Sequence, residues 1–151
     1  MRDEVFMERA IELSVLANKC GNEPFGAVLV KDDKIVFESQ NAVNSKRNPL
    51  CHAELELLNN FVGKTGITDL SEYTLYSSCE PCFMCSGAMA RLKVGKLVYG
   101  AKYDDLAEIL GKSGYSPSKN VFTNTNAKVV VIDGILREKC VKVLENYFGN
   151  K

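Results

Sequence analysis

A chain of 151 residues, 46% hydrophobic and 25% charged, has the length of one domain able to bury its own core, which excludes a disordered, collagenous or low-complexity protein. Its 19 basic and 19 acidic side chains cancel, so no overall counterion-release term of the kind that drives nucleic-acid binding is present. No apolar run approaches the roughly 18 residues of a membrane span, and the charged start Met1-Arg2-Asp3-Glu4 lacks a signal-peptide core; a cytoplasmic location and no membrane partner are expected.

Taken in chain order, Phe6, Ala10, Leu13 and Ala17 recur at helical spacing and predict an amphipathic helix over residues 3–19, ended by Gly21. Residues 26–30 and 35–37 read as a hairpin of two strands around the turn Lys31-Asp32-Asp33-Lys34. A polar loop over 41–49 leads to a helix over 52–61, with Pro49 just outside its start. A strand over 73–77 and a helix over 81–92 follow, then strands over 97–101 and 128–132. Leu136, Cys140, Val143 and Tyr147 mark a terminal amphipathic helix. This alternation implies an α/β fold: a three-layer αβα sandwich with a mixed, largely parallel five-stranded sheet, in one domain over 1–151. The longest irregular stretch, 111–126, reads either as a lid or as a solvated connection.

The chain has a single histidine, so any imidazole chemistry belongs to His52. His52-Ala53-Glu54 opens one predicted helix and Pro81-Cys82-Phe83-Met84-Cys85 another, with 26 residues between Glu54 and Pro81. Cys82 and Cys85, three apart at a helix start, present both sulfurs on one side, where the helix dipole favours thiolates. With His52 they make three protein ligands, the number a catalytic zinc site uses when it keeps one position for water. Glu54 is placed to take a proton from that water and return it to a leaving nitrogen. A redox pair at Cys82 and Cys85 is the rival reading, and a fourth ligand from Cys51 or Cys79 would instead make the zinc site purely structural. Cys20 and Cys140 read as small buried hydrophobes, and a disulfide framework is not expected. Gly63-Lys64-Thr65 and Gly111-Lys112-Ser113 are not phosphate loops, because Leu58 and Leu106 stand where the earlier glycine belongs.

H-x-E with P-C-x-x-C is the signature of zinc-dependent nucleobase deaminases, and His52, Glu54, Pro81, Cys82 and Cys85 match it. With Pro24-Phe25-Gly26-Ala27-Val28, Asn41 and the run from Ser78 to Cys85, the chain resembles the cytidine/deoxycytidylate deaminase-like superfamily over nearly its whole length. The resemblance implies Zn2+ as cofactor, hydrolytic deamination of a base or nucleoside, and a homodimer. It also implies that Asn41, whose amide offers both donor and acceptor, contacts the base; the residue is equally a good turn former. Ala53, between ligand and proton carrier, is placed with Asn41 among the substrate contacts.

The block from Tyr103 to Glu108 resembles the segment of bacterial guanine deaminases that brings a carboxylate to the base, with Asp105 in the matching place. An ionised carboxylate accepts from the N1 and N2 donors of guanine, so guanine, converted to xanthine and ammonia, is the first expected substrate. The alternative is that Asp105 caps a short helix over 105–110. The end of the chain, from Ile132-Asp133-Gly134 onwards, is more similar to tRNA adenosine deaminases and cytosine deaminases, which makes those the alternative activities. Lys46 and Arg47 near the expected site do not amount to a basic stripe, so a tRNA partner ranks below a small-molecule base. A non-catalytic zinc or RNA-binding module is the reading from a different class.

Overall fold

Asp3 and Glu4 in the first turn and Lys19 in the last complement the dipole of α1 (Arg2–Lys19), which lies across the first strand. Gly26 permits that approach: a Cβ there would come within 2.3 Å of the Ala10 carbonyl oxygen. Strands β1 (Gly26–Lys31) and β2 (Lys34–Gln40) form the expected hairpin, and Asp32 and Asp33 both take the positive φ, 51° and 60°, of a two-residue turn. The chain continues through α2 (Val43–Lys46), α3 (Ala53–Thr65), β3 (Thr74–Cys79), α4 (Phe83–Arg91) and β4 (Lys96–Ala101). It ends with α5 (Tyr103–Ile109), α6 (Pro117–Asn124), β5 (Val130–Ile132) and α7 (Arg137–Phe148). The structure, a computed structural model, describes residues 2–149.

The five strands lie in the order β2-β1-β3-β4-β5. β1 is antiparallel to both its neighbours, whereas β3–β4 and β4–β5 are parallel, so β1 alone opposes the other four strands. The sheet is therefore mixed and largely parallel in direction, because only the hairpin turn reverses the chain without a helical crossover.

Side chains alternate across the sheet. Val28, Val30, Tyr76 and Val98 pack with α1, α5 and α7, while Ala27, Leu29, Leu75 and Leu97 pack with α3, α4 and Phe122 of α6. Two apolar clusters on opposite faces make the three layers. Among the described residues no helix is long and apolar enough to cross a membrane.

Two stretches differ from expectation. α2 forms within the expected loop over 41–49, and α6 occupies half of the stretch over 111–126. The local reason for α6 lies in Ser116-Pro117: the Ser116 hydroxyl accepts from the Lys119 N–H, and Pro117 occupies the first helical position, where no N–H is needed. α6 packs against α4, so it is part of a layer rather than a free flap.

The strand directions decide where chemistry is placed. Because β2, β3 and β4 run together, their carboxyl ends, Asn41 just after β2, Cys79 and Ala101, meet at one edge of the sheet. The amino ends of α3 and α4 open at that same edge, where ligand sites of α/β sheets form.

Candidate active site

His52 is the N-cap residue of α3 and Cys82 that of α4, each with extended backbone, and Cys85 is the third residue of α4. The crossing of the two helix starts places His52 Nδ1 3.5 Å from Cys82 Sγ. The ligand atoms of His52, Cys82 and Cys85 all lie within 4.8 Å of one another, and among the described residues this is the only group of its kind. Tetrahedral bonds of about 2.3 Å to sulfur and about 2.1 Å to nitrogen put their far ends roughly 3.6 Å apart, which the 3.5 Å between His52 and Cys82 matches.

The Cys82 thiol is pushed down to about 4, chiefly because the Cys85 thiol donates to it, with His52 adding to the effect. Cys85 is pushed up by the same contact and by burial, and His52 is raised by Cys82. One thiolate thus anchors a cluster of ion-sized spacing, from which a divalent cation would displace the remaining protons.

Neither of the two other nearby thiols joins the cluster. Cys51 is hydrogen-bonded to the Glu56 carboxylate, which keeps its thiol protonated to a higher pH. Cys79 lines the adjoining cavity, and burial raises its thiol well above the ordinary value. Among the described residues the group that could hold a metal therefore numbers three, which would suit an ion with one open position rather than a closed structural centre.

Glu54, in the first turn of α3, is 5% exposed and faces the same cavity. Burial is the main cause that lifts its carboxyl to about 7, with the negative charge at Cys82 second; Ser77 and the Glu54 backbone N–H offset this in part. A carboxyl poised near neutrality both takes up and gives back a proton in one cycle.

The cavity measures about 210 Å³. Its polar wall is Glu23, Asn41, His52, Glu54, Glu80 and Cys82, and its apolar wall is Phe25, Cys79, Tyr103, Leu106, Leu110 and Phe148. A more open hollow of about 520 Å³ lies beyond Glu80, but none of His52, Glu54, Cys82 and Cys85 lines it. Asn41 is 1% exposed; its Oδ1 accepts from the Val43 N–H at 3.1 Å, as in an Asx turn, so the turn and the cavity-lining readings hold together. The Ala53 side chain packs into the apolar cluster under α3, and Ala53 is not among the described residues that line the cavity, so the structure does not bring it to the expected substrate contact.

Asp105 is not brought to this cavity. Its carboxylate accepts from the Lys102 N–H at 2.8 Å and from Arg137 Nε and Nη2 at 3.0 and 2.5 Å, and it lines a separate shallow depression with Glu108 and Val141. The expectation of a guanine contact from Asp105 is corrected accordingly: Asp105 closes the first turn of α5 and ties it to α7.

Sequence reasoning did not single out Glu80, Glu23 or Phe148. The Glu80 carboxylate accepts four hydrogen bonds, from the Tyr103 N–H (3.1 Å), the Ser116 hydroxyl (2.6 Å) and both the N–H and the hydroxyl of Ser118 (3.3 and 2.6 Å). It thereby pins the start of α5 and the start of α6 beside the turn that carries Cys82. Its position between Cys79 and Pro81 was the available signal; the serines that meet it lie far along the chain. Phe148 reaches the cavity from the end of α7 and packs on Phe25, their ring centroids 6.3 Å apart.

Residues 1–101 match the family described as the cytidine and deoxycytidylate deaminase zinc-binding region. The chain belongs to this family. It is a hydrolase of the deaminase class, acting on a nucleobase or nucleoside. It is 34% identical to the tRNA-specific adenosine deaminase of Buchnera aphidicola subsp. Schizaphis graminum, over 99% of this chain and 96% of that protein. It is 38% identical to the guanine deaminase of Bacillus subtilis, over 72% of this chain and 70% of that one. Among solved structures, the guanine deaminase of Nitrosomonas europaea superposes with a TM-score of 0.83 at 28% identity, covering 95% of this chain and 83% of that chain.

Proposed function

We propose that His52, Cys82 and Cys85 hold one zinc ion and that this deaminase acts on a free nucleobase, guanine first, releasing xanthine and ammonia. The observation that carries the reading is that Glu54, His52 and Cys82 line one small cavity, with Cys85 in the same ligand cluster, and that the described residues lining this cavity include no lysine or arginine. Bound there, zinc would act as a Lewis acid that lets water attack near neutral pH. Glu54 takes the proton of the attacking water and delivers it to the departing amine, so that water is added and ammonia leaves without any change in redox state. Phe25, Leu106, Leu110 and Phe148 keep bulk water away from the ring during that exchange. Asn41 stands at the cavity wall as a polar partner for the base.

Similarity supports guanine through the relatives from Bacillus subtilis and Nitrosomonas europaea. A second reading, deamination of adenosine in tRNA, is favoured by the near full-length similarity to the Buchnera protein. The surroundings speak against a polyanion: Glu23 and Glu80 line the cavity, Lys46 is paired with Glu56, and Lys102 lies 3.8 Å from Asp133.

The test is an ammonia-release screen of the zinc-loaded protein across guanine, guanosine, cytosine, adenine and a tRNA stem-loop carrying adenosine at position 34, with metal content measured alongside. Guanine is expected to lead, with one zinc per chain and none in a Cys82→Ser protein. Turnover of the stem-loop alone would replace the reading with the tRNA one, and full zinc occupancy in Cys82→Ser would overturn the ligand set.

A further inference from the structure

We infer that Glu23 selects free bases over their nucleosides, by accepting a hydrogen bond from the ring N–H that a sugar replaces. The inference rests on the free-base reading above and specifies how the cavity enforces it.

Donors and acceptors around the cavity lead to this residue. Three carboxylates line it. Glu54 is occupied with the proton of the reaction, and Glu80 already accepts four hydrogen bonds. Glu23 makes no hydrogen bond or ion pair through its side chain with any of the described residues. The Tyr103 hydroxyl is engaged with Tyr115, and Asn41 Oδ1 holds the Val43 N–H. Among the described cavity groups, Glu23 is thus the acceptor left for a ligand donor.

Its placement is fixed before any ligand arrives. Asn22, 2% exposed, accepts from the backbone N–H groups of Asn44 and Ser45 and donates to the Ser45 hydroxyl at 2.8 Å, which locks the preceding residue onto α2. On the other side Pro24 fixes the backbone, and the Phe25 N–H closes a tight turn on the Glu23 carbonyl at 2.9 Å. Phe25 then packs on Phe148. A carboxylate held half-buried between an anchored asparagine and an aromatic wall loses little entropy on accepting a hydrogen bond.

The chemistry that complements it is a ring N–H. Guanine, adenine and cytosine as free bases each carry one at the nitrogen where a nucleoside carries its sugar. Ribosylation removes that donor and adds bulk, and a phosphate adds negative charge against the carboxylate. Glu23 therefore rewards the free base and disfavours the nucleoside, the nucleotide and a base within a nucleic acid.

The probes are guanine and 9-methylguanine, which differ in this donor with little added bulk, and guanosine. In the zinc-loaded wild type, kcat/KM for guanine is expected to exceed that for 9-methylguanine by about ten- to a hundredfold, the range for losing a hydrogen bond to a charged group. In Glu23→Ala the guanine value should fall by that factor while the 9-methylguanine value holds, so that the ratio approaches one. Glu23→Gln, which keeps an acceptor oxygen without the charge, should retain part of the ratio. Zinc content and thermal midpoint, measured on the same proteins, should stay at wild-type values. A guanine to 9-methylguanine ratio unchanged in Glu23→Ala would overturn the role of Glu23 and leave the free-base reading standing. A wild type that prefers guanosine or the tRNA stem-loop to guanine would overturn both.

Discussion

Glu54 in the first turn of α3 and Glu80 at the end of β3 are each 5% exposed and line the same cavity, yet their surroundings differ. Glu80 is wrapped by four donors from α5 and α6, which satisfy a buried carboxylate and turn it into a clamp. Against burial and the charge at Cys82, Glu54 has its own backbone N–H, the charge at His52 and one side-chain donor, Ser77, so its carboxyl is lifted to about 7. Asp105 belongs with Glu80: Arg137 and the Lys102 N–H hold its carboxyl below the usual range. Supply of donors, rather than depth of burial, separates the carboxylate that holds structure from the one proposed to move protons.

The sharpest way to break this contrast is Glu54→Gln, which keeps the shape of the side chain and removes its proton exchange. Turnover is expected to fall about 10²- to 10⁴-fold with zinc retained, read by ammonia release and metal analysis. Activity near that of the wild type would move Glu54 to the structural side beside Glu80.

Glu80→Ala probes the opposite case. It leaves the Tyr103 and Ser118 N–H groups without their partner, and the unfolding free energy in urea should fall by about 2–4 kcal/mol. Amides of residues 103–118 should exchange faster than those of β3 and β4, since Glu80 joins them to the sheet. Equal protection in both proteins would show that α6 is held by its packing on α4 alone.

The smallest effect is expected from Asp105→Ala: about 1 kcal/mol of stability from the lost helix-start contact, with guanine turnover per folded molecule unchanged. Because the folded-state pKa of Asp105 is lowered, its contribution is present above its unfolded value of 3.8 and is lost as pH falls through the folded value. The gap in thermal midpoint between wild type and variant should therefore be steady near neutral pH and close in acid. A fall in kcat/KM without a fall in stability would return Asp105 to the substrate.

The deaminase class and the α/β layers are legible in local residue order. One histidine, two cysteines three apart at a helix start and a glutamate two residues after the histidine are local patterns, and the α3 and α4 starts that display them are written in local residue order. Helical and strand periodicity likewise carried the layers and all five strands, because side-chain alternation is a property of each segment alone. Ser116-Pro117, a start signal for α6, is also local, but the Ser, Asn and Gly around it give the segment the composition of a loop.

What the tertiary structure decided is which polar groups meet. Asp105 faces Arg137, 32 residues away, and Glu80 faces Ser116 and Ser118, 36 and 38 residues away. Phe148 closes the cavity from the far end of the chain, and the Glu23 side chain stands in it with no hydrogen bond to a described residue. A carboxylate's role depends on the donors around it, and those arrive from segments whose proximity exists only once the sheet has ordered its strands.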